Sequence, residues 1–259
     1  WTAVHSHELR TLLHLKLKIS MNRPFYSLVA IGIGLSLSAN VQAAENSQDT
    51  EPRIVTPGNH TSQAPSDATV LFDGKSLGRW ESVKGGAAKW DLKEGAMVVN
   101  RSGGIRTKET FGDVQLHIEW ASPAVVKGDG QGRGNSGVYL QGRYEIQVLD
   151  SYQNKTYFNG QAGSFYGNNP PLVNASKKPG EWQTYDIVFI APKPKNDGSG
   201  VIPGSFTVFH NGVLIQNHIP IAGKKTTAAA YSGASATGPI VLQDHGNPVR
   251  FRNIWIRPL

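Results

Sequence analysis

Val114, Leu116, Ile118 and Trp120 alternate with Gln115, His117 and Glu119 in the segment VQLHIEW. A period of two puts the apolar side chains on one face of a strand and the polar ones on the other. Strand-like segments separated by turn signals follow at Thr69–Phe72, Trp90–Leu92, Ala96–Asn100, Gly137–Gln141, Tyr144–Leu149, Thr184–Ala191, Ser205–His210, Val213–Asn217, Ile240–Gln243 and Phe251–Arg257. No stretch between Asp67 and Leu259 sustains a helical period. Lys93-Glu94-Gly95 and Asn211-Gly212 each join two such segments, and Asn-Gly is what a type I′ hairpin turn requires. The pattern predicts a single all-β domain, an antiparallel sandwich or jelly roll. Tyr185–Ile190 is apolar at nearly every position and predicts a strand covered on both faces. Trp182 and Trp255 fall in apolar surroundings and are expected in the core. Long loops are expected at 122–135, 152–181, 192–204 and 222–239, and loops of that length in a small domain carry function or move.

The flanking sequence reads differently. Position 1 is Trp, and residues 1–20 precede the first methionine, Met21; they read as outside the native protein. From Met21 a basic residue, Arg23, an apolar run over Phe25–Leu37 and the small-residue end Val41-Gln42-Ala43 make residues 21–43 a secretory signal. The run is shorter than the roughly 20 residues a membrane-spanning helix needs. The chain has no cysteine, so it has neither an acylation site for a lipid anchor nor disulfides. Residues 44–66, polar with Pro52, Pro57 and Pro65, read as a disordered tether to a folded part at 67–259. The expectation is a soluble periplasmic or secreted protein without a stable membrane anchor. Residues 1–43 hold four of the 26 Lys and Arg and one of the 19 Asp and Glu, so the remainder carries only +4. With no basic run, nucleic acid is not an expected partner.

One segment has an unusual surface. In RGNSGVYLQGRYEIQVLDSY, Val138 and Leu140 alternate with Tyr139 and Gln141, and Tyr144, Ile146 and Val148 alternate with Glu145 and Gln147. The two strands meet at a Gly142-Arg143 turn. Their polar face carries an acid, amides and a phenol, with no lysine, and Tyr139 and Tyr144 offer flat surface for a sugar ring. Glu145 could be an acid, a base or a hydroxyl anchor; a plain solvated face would need no function. Downstream, LQDHGNPVRFRNIWIRPL sets Gln243, Asp244 and His245 at a strand end, with Asp244 equally readable as a turn former. Arg250 and Arg252 could hold a carboxylate or oxyanion, or pair structurally with Glu119 or Asp150. His117 and Glu119 read as a satisfied pair on a sheet face. GQAGSFYG reads as a loop closing over a ligand, with Tyr166 reaching in. No serine nucleophile elbow, helical zinc pair, cysteine nucleophile or dinucleotide fingerprint is present.

The motifs LFDGKSLGRW, RTKETFGDVQLHIEW, RGNSGVYLQGRYEIQVLDSY, GEWQTYDIVFIAPK, HNGVLIQNH and LQDHGNPVRFRNIWIRPL, in this order, closely resemble the 3-keto-disaccharide hydrolase family over about residues 68–259. The resemblance implies a concanavalin A-like, glucanase-like jelly-roll β-sandwich acting on glycosides oxidised to a ketone at C3, as a 1,2-lyase and hydratase. A C3 ketone acidifies the C2 proton, so a base can remove it and the group at C1 can leave; hydration of the enone gives net hydrolysis. Carried onto this chain, the resemblance points to Glu145 as base or acid, His245 as its counterpart and Arg143 or Arg250 at the enolate. It further points to Gln147 and Gln243 orienting hydroxyls, Tyr139 and Tyr166 lining the ring, and Asn135, Gln141 and Asp150 as further substrate contacts. No cofactor is evident, although Glu145, Asp150 or His245 could hold a divalent cation. A classical glycosidase on the same fold, or a sugar-binding module without catalysis, are the competing readings.

Overall fold

A computed structural model of the chain describes residues 51–221 and 225–259. The segment read as non-native, the expected signal and the start of the tether lie outside the described residues. The strands are β1 (Thr69–Phe72), β2 (Trp80–Ser82), β3 (Asp91–Lys93), β4 (Ala96–Val98), β5 (Ile105–Thr107), β6 (Val114–Ala121), β7 (Ser136–Leu140), β8 (Tyr144–Val148), β9 (Gln183–Ile190), β10 (Lys193–Pro194), β11 (Val201–Ile202), β12 (Gly204–His210), β13 (Val213–Ile221), β14 (Val241–Leu242) and β15 (Arg250–Pro258). All pairings are antiparallel. The larger sheet runs β13-β12-β9-β6-β15-β4-β3, with β1 also on β15, and the smaller runs β2-β5-β14-β7-β8. This is the all-β sandwich of the jelly-roll class that the alternation predicts.

The hairpins form where the turn residues demand. Lys93 pairs with Ala96 across Glu94 and Gly95, at φ 51° and 73°, and His210 pairs with Val213 across Asn211 and Gly212, at φ 53° and 79°. Both central residues of each turn are left-handed, as type I′ requires. Between the sheets lie Leu116, Ile118 and Trp120 of β6, Phe189 of β9, Phe206 of β12, Phe251 of β15, and Val138, Leu140, Ile146 and Val148 of the β7–β8 pair.

Several expectations are corrected. Strand β9 is covered on one face only, since its residues alternate inward and outward and Val188 and Ile190 are 37% and 36% exposed. Its apolar outer face lies on the open side of the larger sheet. Tyr144 does not join the polar face: it packs in the core at 6.0 Å from Phe189 and 6.4 Å from Phe206, ring centroid to ring centroid. The expected 192–204 loop contains the β10–β11 hairpin. Neither tryptophan lies between the sheets. Trp182 sits half-buried under Arg250 and Arg252, 5.0 and 4.0 Å from ring centroid to guanidinium carbon. A one-residue bulge in β15 at Asn253, φ 46°, turns Ile254 and Ile256 inward and Trp255 outward. There Trp255 stacks on His117 at 5.2 Å and donates to the Ser62 carbonyl at 3.0 Å.

That last contact also corrects the tether. Asn253 Nδ2 donates to the same Ser62 carbonyl at 2.7 Å, and Asp67 accepts from Arg53 and Arg257 at 2.7 Å each. Residues 53–67 are therefore laid along the outer face of the larger sheet. Beneath them His117 and Glu119 form the satisfied pair the alternation suggested. His117 Nδ1 bonds Asp186 at 2.6 Å, and Glu119 accepts from Arg252 at 2.6 Å and Asn253 at 2.8 Å. Burial pushes the His117 imidazole down, but Asp186 and Glu119 more than offset it and raise it to about 9. Burial likewise raises Glu119, but its bonds to His117, Asn253 and Arg252 bring it to about 2.

Phe206 is fully buried between Tyr144, Phe165 and Phe189. Its replacement by alanine should lower the unfolding free energy by about 3–5 kcal/mol in urea titrations, with the m-value unchanged.

Candidate active site

The smaller sheet's outer face is built from a short hairpin. Leu140 pairs with Tyr144, so the turn is Gln141-Gly142-Arg143, one residue longer than the Gly-Arg turn expected. Gln141 and Gly142 adopt φ 54° and 63°. A Cβ on Gly142 would lie 2.6 Å from the Tyr231 ring, so this position needs glycine for both its φ and its neighbour. From that turn the register sets Tyr139 opposite Glu145 and Gly137 opposite Gln147. Residues 163–166 extend the sheet past β8: Gln147 donates to the Ser164 carbonyl at 3.0 Å and Tyr166 to the Glu145 carbonyl at 3.1 Å, backbone to backbone. On the other side, Val241 pairs with both Tyr139 and Arg106, and Arg106 pairs with Glu81.

Directly paired residues of an antiparallel sheet share a face. One row across the sheet therefore reads Glu81, Arg106, Val241, Tyr139, Glu145, Tyr166. The adjacent row holds Gln243, Gly137 and Gln147, with the Gln243 N–H donating to the Gly137 carbonyl at 3.0 Å. A Cβ on Gly137 would collide with Glu145 Oε1 and lie 2.9 Å from Tyr139 Cε2. The missing side chain is the cradle in which the Glu145 carboxyl lies.

Glu145 is 2% exposed, and burial raises its carboxyl to about 8 against the opposing hydrogen bond of the Tyr139 hydroxyl. The phenol of Tyr139 is itself pushed up, first by burial and then by the Glu145 charge. Gln243 Nε2 donates to Tyr139 Oη at 3.0 Å, so Gln243, Tyr139 and Glu145 form one chain. The Gln147 amide can serve either side. In one orientation it donates to Gln131 Oε1 at 2.9 Å; in the other it donates to Glu145 Oε1 at 3.1 Å and the Ser136 carbonyl at 2.9 Å. The second orientation satisfies the amide, since the first sets the Gln147 oxygen against the Ser136 carbonyl whichever protonation state Glu145 takes. Among the described residues the Oε1 atoms of Gln141 and Gln243 are buried without a partner.

Arg106 is the residue that sequence reasoning missed. It lies on a three-residue strand too short to show alternation. Its Nε donates to Glu81 at 2.8 Å and its guanidinium to the Tyr231 hydroxyl. The loop bearing Tyr231 roofs the row. Arg143 ties that loop down, donating to the Gly233 carbonyl at 2.9 Å and standing over the Tyr231 ring, while Thr226 bonds the Arg143 carbonyl at 3.0 Å.

The remaining predicted residues scatter. Asn135 is near, bonded to the Gln131 carbonyl at 2.7 Å, and Gln141 is buried in the turn, 3.4 Å from the Phe111 carbonyl. Asp150 is ion-paired with Arg133 at 2.7 Å. Asp244 caps a turn through the N–H groups of Gly103 and Gly246, leaving His245 exposed. Arg250 donates to the Gly180 carbonyl at 3.1 Å on the outer face of the larger sheet, with the core between it and Glu145. It does not share a site with Glu145, and neither does Arg252, which takes the pairing with Glu119. Among the described residues no three His, Cys, Asp or Glu side chains come together, so Glu145, Asp150 and His245 form no single ligand set. A cleft of about 710 Å³ opens elsewhere, between Arg101, Val125, Val126, Arg133 and Asn247. It has volume but none of the residues of the Glu145 row, whose chemistry marks the better candidate.

The fold and the row around Glu145 define a β-sandwich with one buried carboxyl set among phenols and amides on an outer face. The chain belongs to the family of 3-keto-alpha-glucoside-1,2-lyase-like domains, which matches residues 67–257. A 3-keto-disaccharide hydrolase of Bacteroides thetaiotaomicron is 25% identical, over 92% of this chain and 100% of the relative. A crystal structure from Parabacteroides distasonis, designated a candidate glycosyl hydrolase, is 50% identical with a TM-score of 0.76, covering 83% of this chain and 95% of that one. A second structure from that organism, 21% identical with a TM-score of 0.58 over 80% and 100%, shares the fold.

Because Glu145 binds its proton more tightly folded than unfolded, its contribution to stability falls as pH rises from about 4.5 to about 8. Glu145→Gln should remove that slope. Relative to the variant, the wild type should lose up to about 1.4 kcal/mol per pH unit across this window and level off above it, measured by urea unfolding at several pH values.

Proposed function

We propose that this chain cleaves glycosides already oxidised at C3, by β-elimination across C1–C2 followed by hydration of the enone. The observation that carries this reading is the isolation of Glu145. The only other carboxylate in its row, Glu81, is four strands away, roughly 19 Å at the usual strand spacing. Two-carboxylate glycosidases keep their acids about 5–10 Å apart. A single carboxyl raised to about 8 suits a group that must take up and return one proton near neutral pH.

In this reading the Glu145 carboxylate removes the C2 proton while the C3 oxygen, becoming an enolate, is met by the neighbouring Tyr139 hydroxyl, itself held by the Gln243 amide. The C1–O bond then breaks. The leaving oxygen takes a proton from the Tyr166 phenol on the other side of Glu145. Water afterwards adds its hydroxyl to C1 and its other proton to the phenolate, while Glu145, its proton exchanged with solvent, protonates C2, and the net result is hydrolysis. Gln147 and Gln243 hold sugar hydroxyls on either side of Gly137. The leader-like pattern of residues 21–43 supports placing the enzyme in the periplasm or outside the cell.

Incubation in D₂O with a 3-keto glucoside and with its unoxidised counterpart tests the proposal. Release of the leaving group should occur from the keto sugar alone, with deuterium incorporated at C2; turnover of the unoxidised glucoside would point to a glycosidase, and binding without turnover to a module. Glu145→Gln should lower kcat/KM by about 10²–10⁴-fold, and Tyr139→Phe by about 10²-fold. The wild-type kcat/KM should rise with pH through about 8. His245→Ala at full activity would exclude the exposed imidazole as the second proton carrier.

A further inference from the structure

Beyond Tyr166 the row of the smaller sheet continues into the turn at Tyr157–Gly160. The hydroxyls of Tyr157 and Tyr166 are hydrogen-bonded and their rings meet edge-on at 6.2 Å. Tyr157 is 48% exposed and the adjacent Phe158 81% exposed. The two rings stand next to each other in the chain, and contiguous rather than single exposed apolar surface is what marks a ligand site.

Yet Tyr157 is held in place. Its ring lies against Gly160, where an added Cβ would come within 2.6 Å of the ring's Cζ, so only glycine permits that packing. The Gly160 carbonyl accepts from Gln131 Nε2 at 2.8 Å, and the same Gln131 receives the Gln147 amide two residues from Glu145. On its other side the turn is braced by the Gly167 N–H on the Asn159 carbonyl at 2.9 Å. A fixed, half-exposed ring loses little freedom when another ring packs on it. Distance fits as well. Glu145 and Tyr166 are adjacent in the row, about 5 Å apart, and the Tyr157 ring centroid lies 6.2 Å from that of Tyr166. That separation is comparable to the length of one sugar unit. The Tyr157 hydroxyl is pushed up by burial, by its bond to Tyr166 and by the nearby charge of Glu145, which agrees with this proximity.

We propose that Tyr157, with Tyr166 and the neighbouring Phe158, forms a subsite for the leaving group, a platform for a ring with one flat apolar face, either a pyranose or an aryl group. This rests on the reading of Glu145 as the proton carrier at C2. The keto sugar then lies over Tyr139 and Glu145, and the group departing from C1 stacks on Tyr157.

The test compares kcat/KM for 3-keto glucosides with methyl, glucosyl and phenyl leaving groups in the wild type, Tyr157→Ala and Tyr157→Phe. The alanine variant should lose about tenfold more on a ring-bearing substrate than on the methyl one, and the phenylalanine variant should recover the ring preference. Discrimination against glucosyl alone, or phenyl alone, tells which ring the platform takes. Equal losses on all three substrates would overturn the subsite and leave Tyr157 a positioning residue for Tyr166. If the wild type turns over no 3-keto glucoside, the functional reading fails, and titration with glucose and with phenol followed by NMR still decides the platform. Binding lost in Tyr157→Ala would support it, and binding unaffected, or absent in the wild type, would overturn it.

Discussion

The pairing of Gly137 with Gln147 and of Tyr139 with Glu145 decides what the smaller sheet can display. A slip of one residue between β7 and β8 would exchange faces, sending Glu145 and Gln147 into an apolar core and Ile146 and Val148 to the loops. The register is fixed from both ends. At one end the turn Gln141-Gly142-Arg143 needs left-handed residues, and at the other the apolar side chains must meet β9 and β12. Within that register, glycine at 137 lets a carboxyl lie down on the sheet instead of standing out from it. The raised carboxyl, its phenol partner and the flanking amides all follow from that one vacancy.

Much of this was legible in the chain. Period-two alternation in β6 and at Tyr139–Gln147 gives the fold class and groups Glu145, Gln147 and Tyr139, because alternation is a local property of a strand. Sheet membership is not local. Arg250 and Glu145 both lie on strand faces, yet their strands belong to different sheets with the core between them. The bulge at Asn253 shows the same limit, since one residue in the left-handed region reverses which of Ile254 and Trp255 points inward. Arg106 hides on a strand of three residues, and Tyr231 and Tyr157 sit in loops, where no period marks direction.

The two outer faces solve burial differently. On the larger sheet, His117 and Asp186, and Glu119 with Arg252, neutralise one another beneath the segment around Ser62, so little reactivity remains. On the smaller sheet, Glu145 has no cation beside it among the described salt bridges, only phenol and amide. Burial without a counter-charge makes a group costly to ionise, and such groups are where proton chemistry is commonly found.

The segment at 163–166 that brings Tyr166 to the row also occupies the outer edge of β8. An uncovered edge strand offers its backbone to any extended chain, including another copy of itself. The same few residues thus close a sticky edge and supply a side chain of the site. A loop with both duties is free to change its tip but not its pairing: insertions between Tyr152 and Asn159 leave the edge of β8 covered, while loss of the paired stretch would expose it to aggregation.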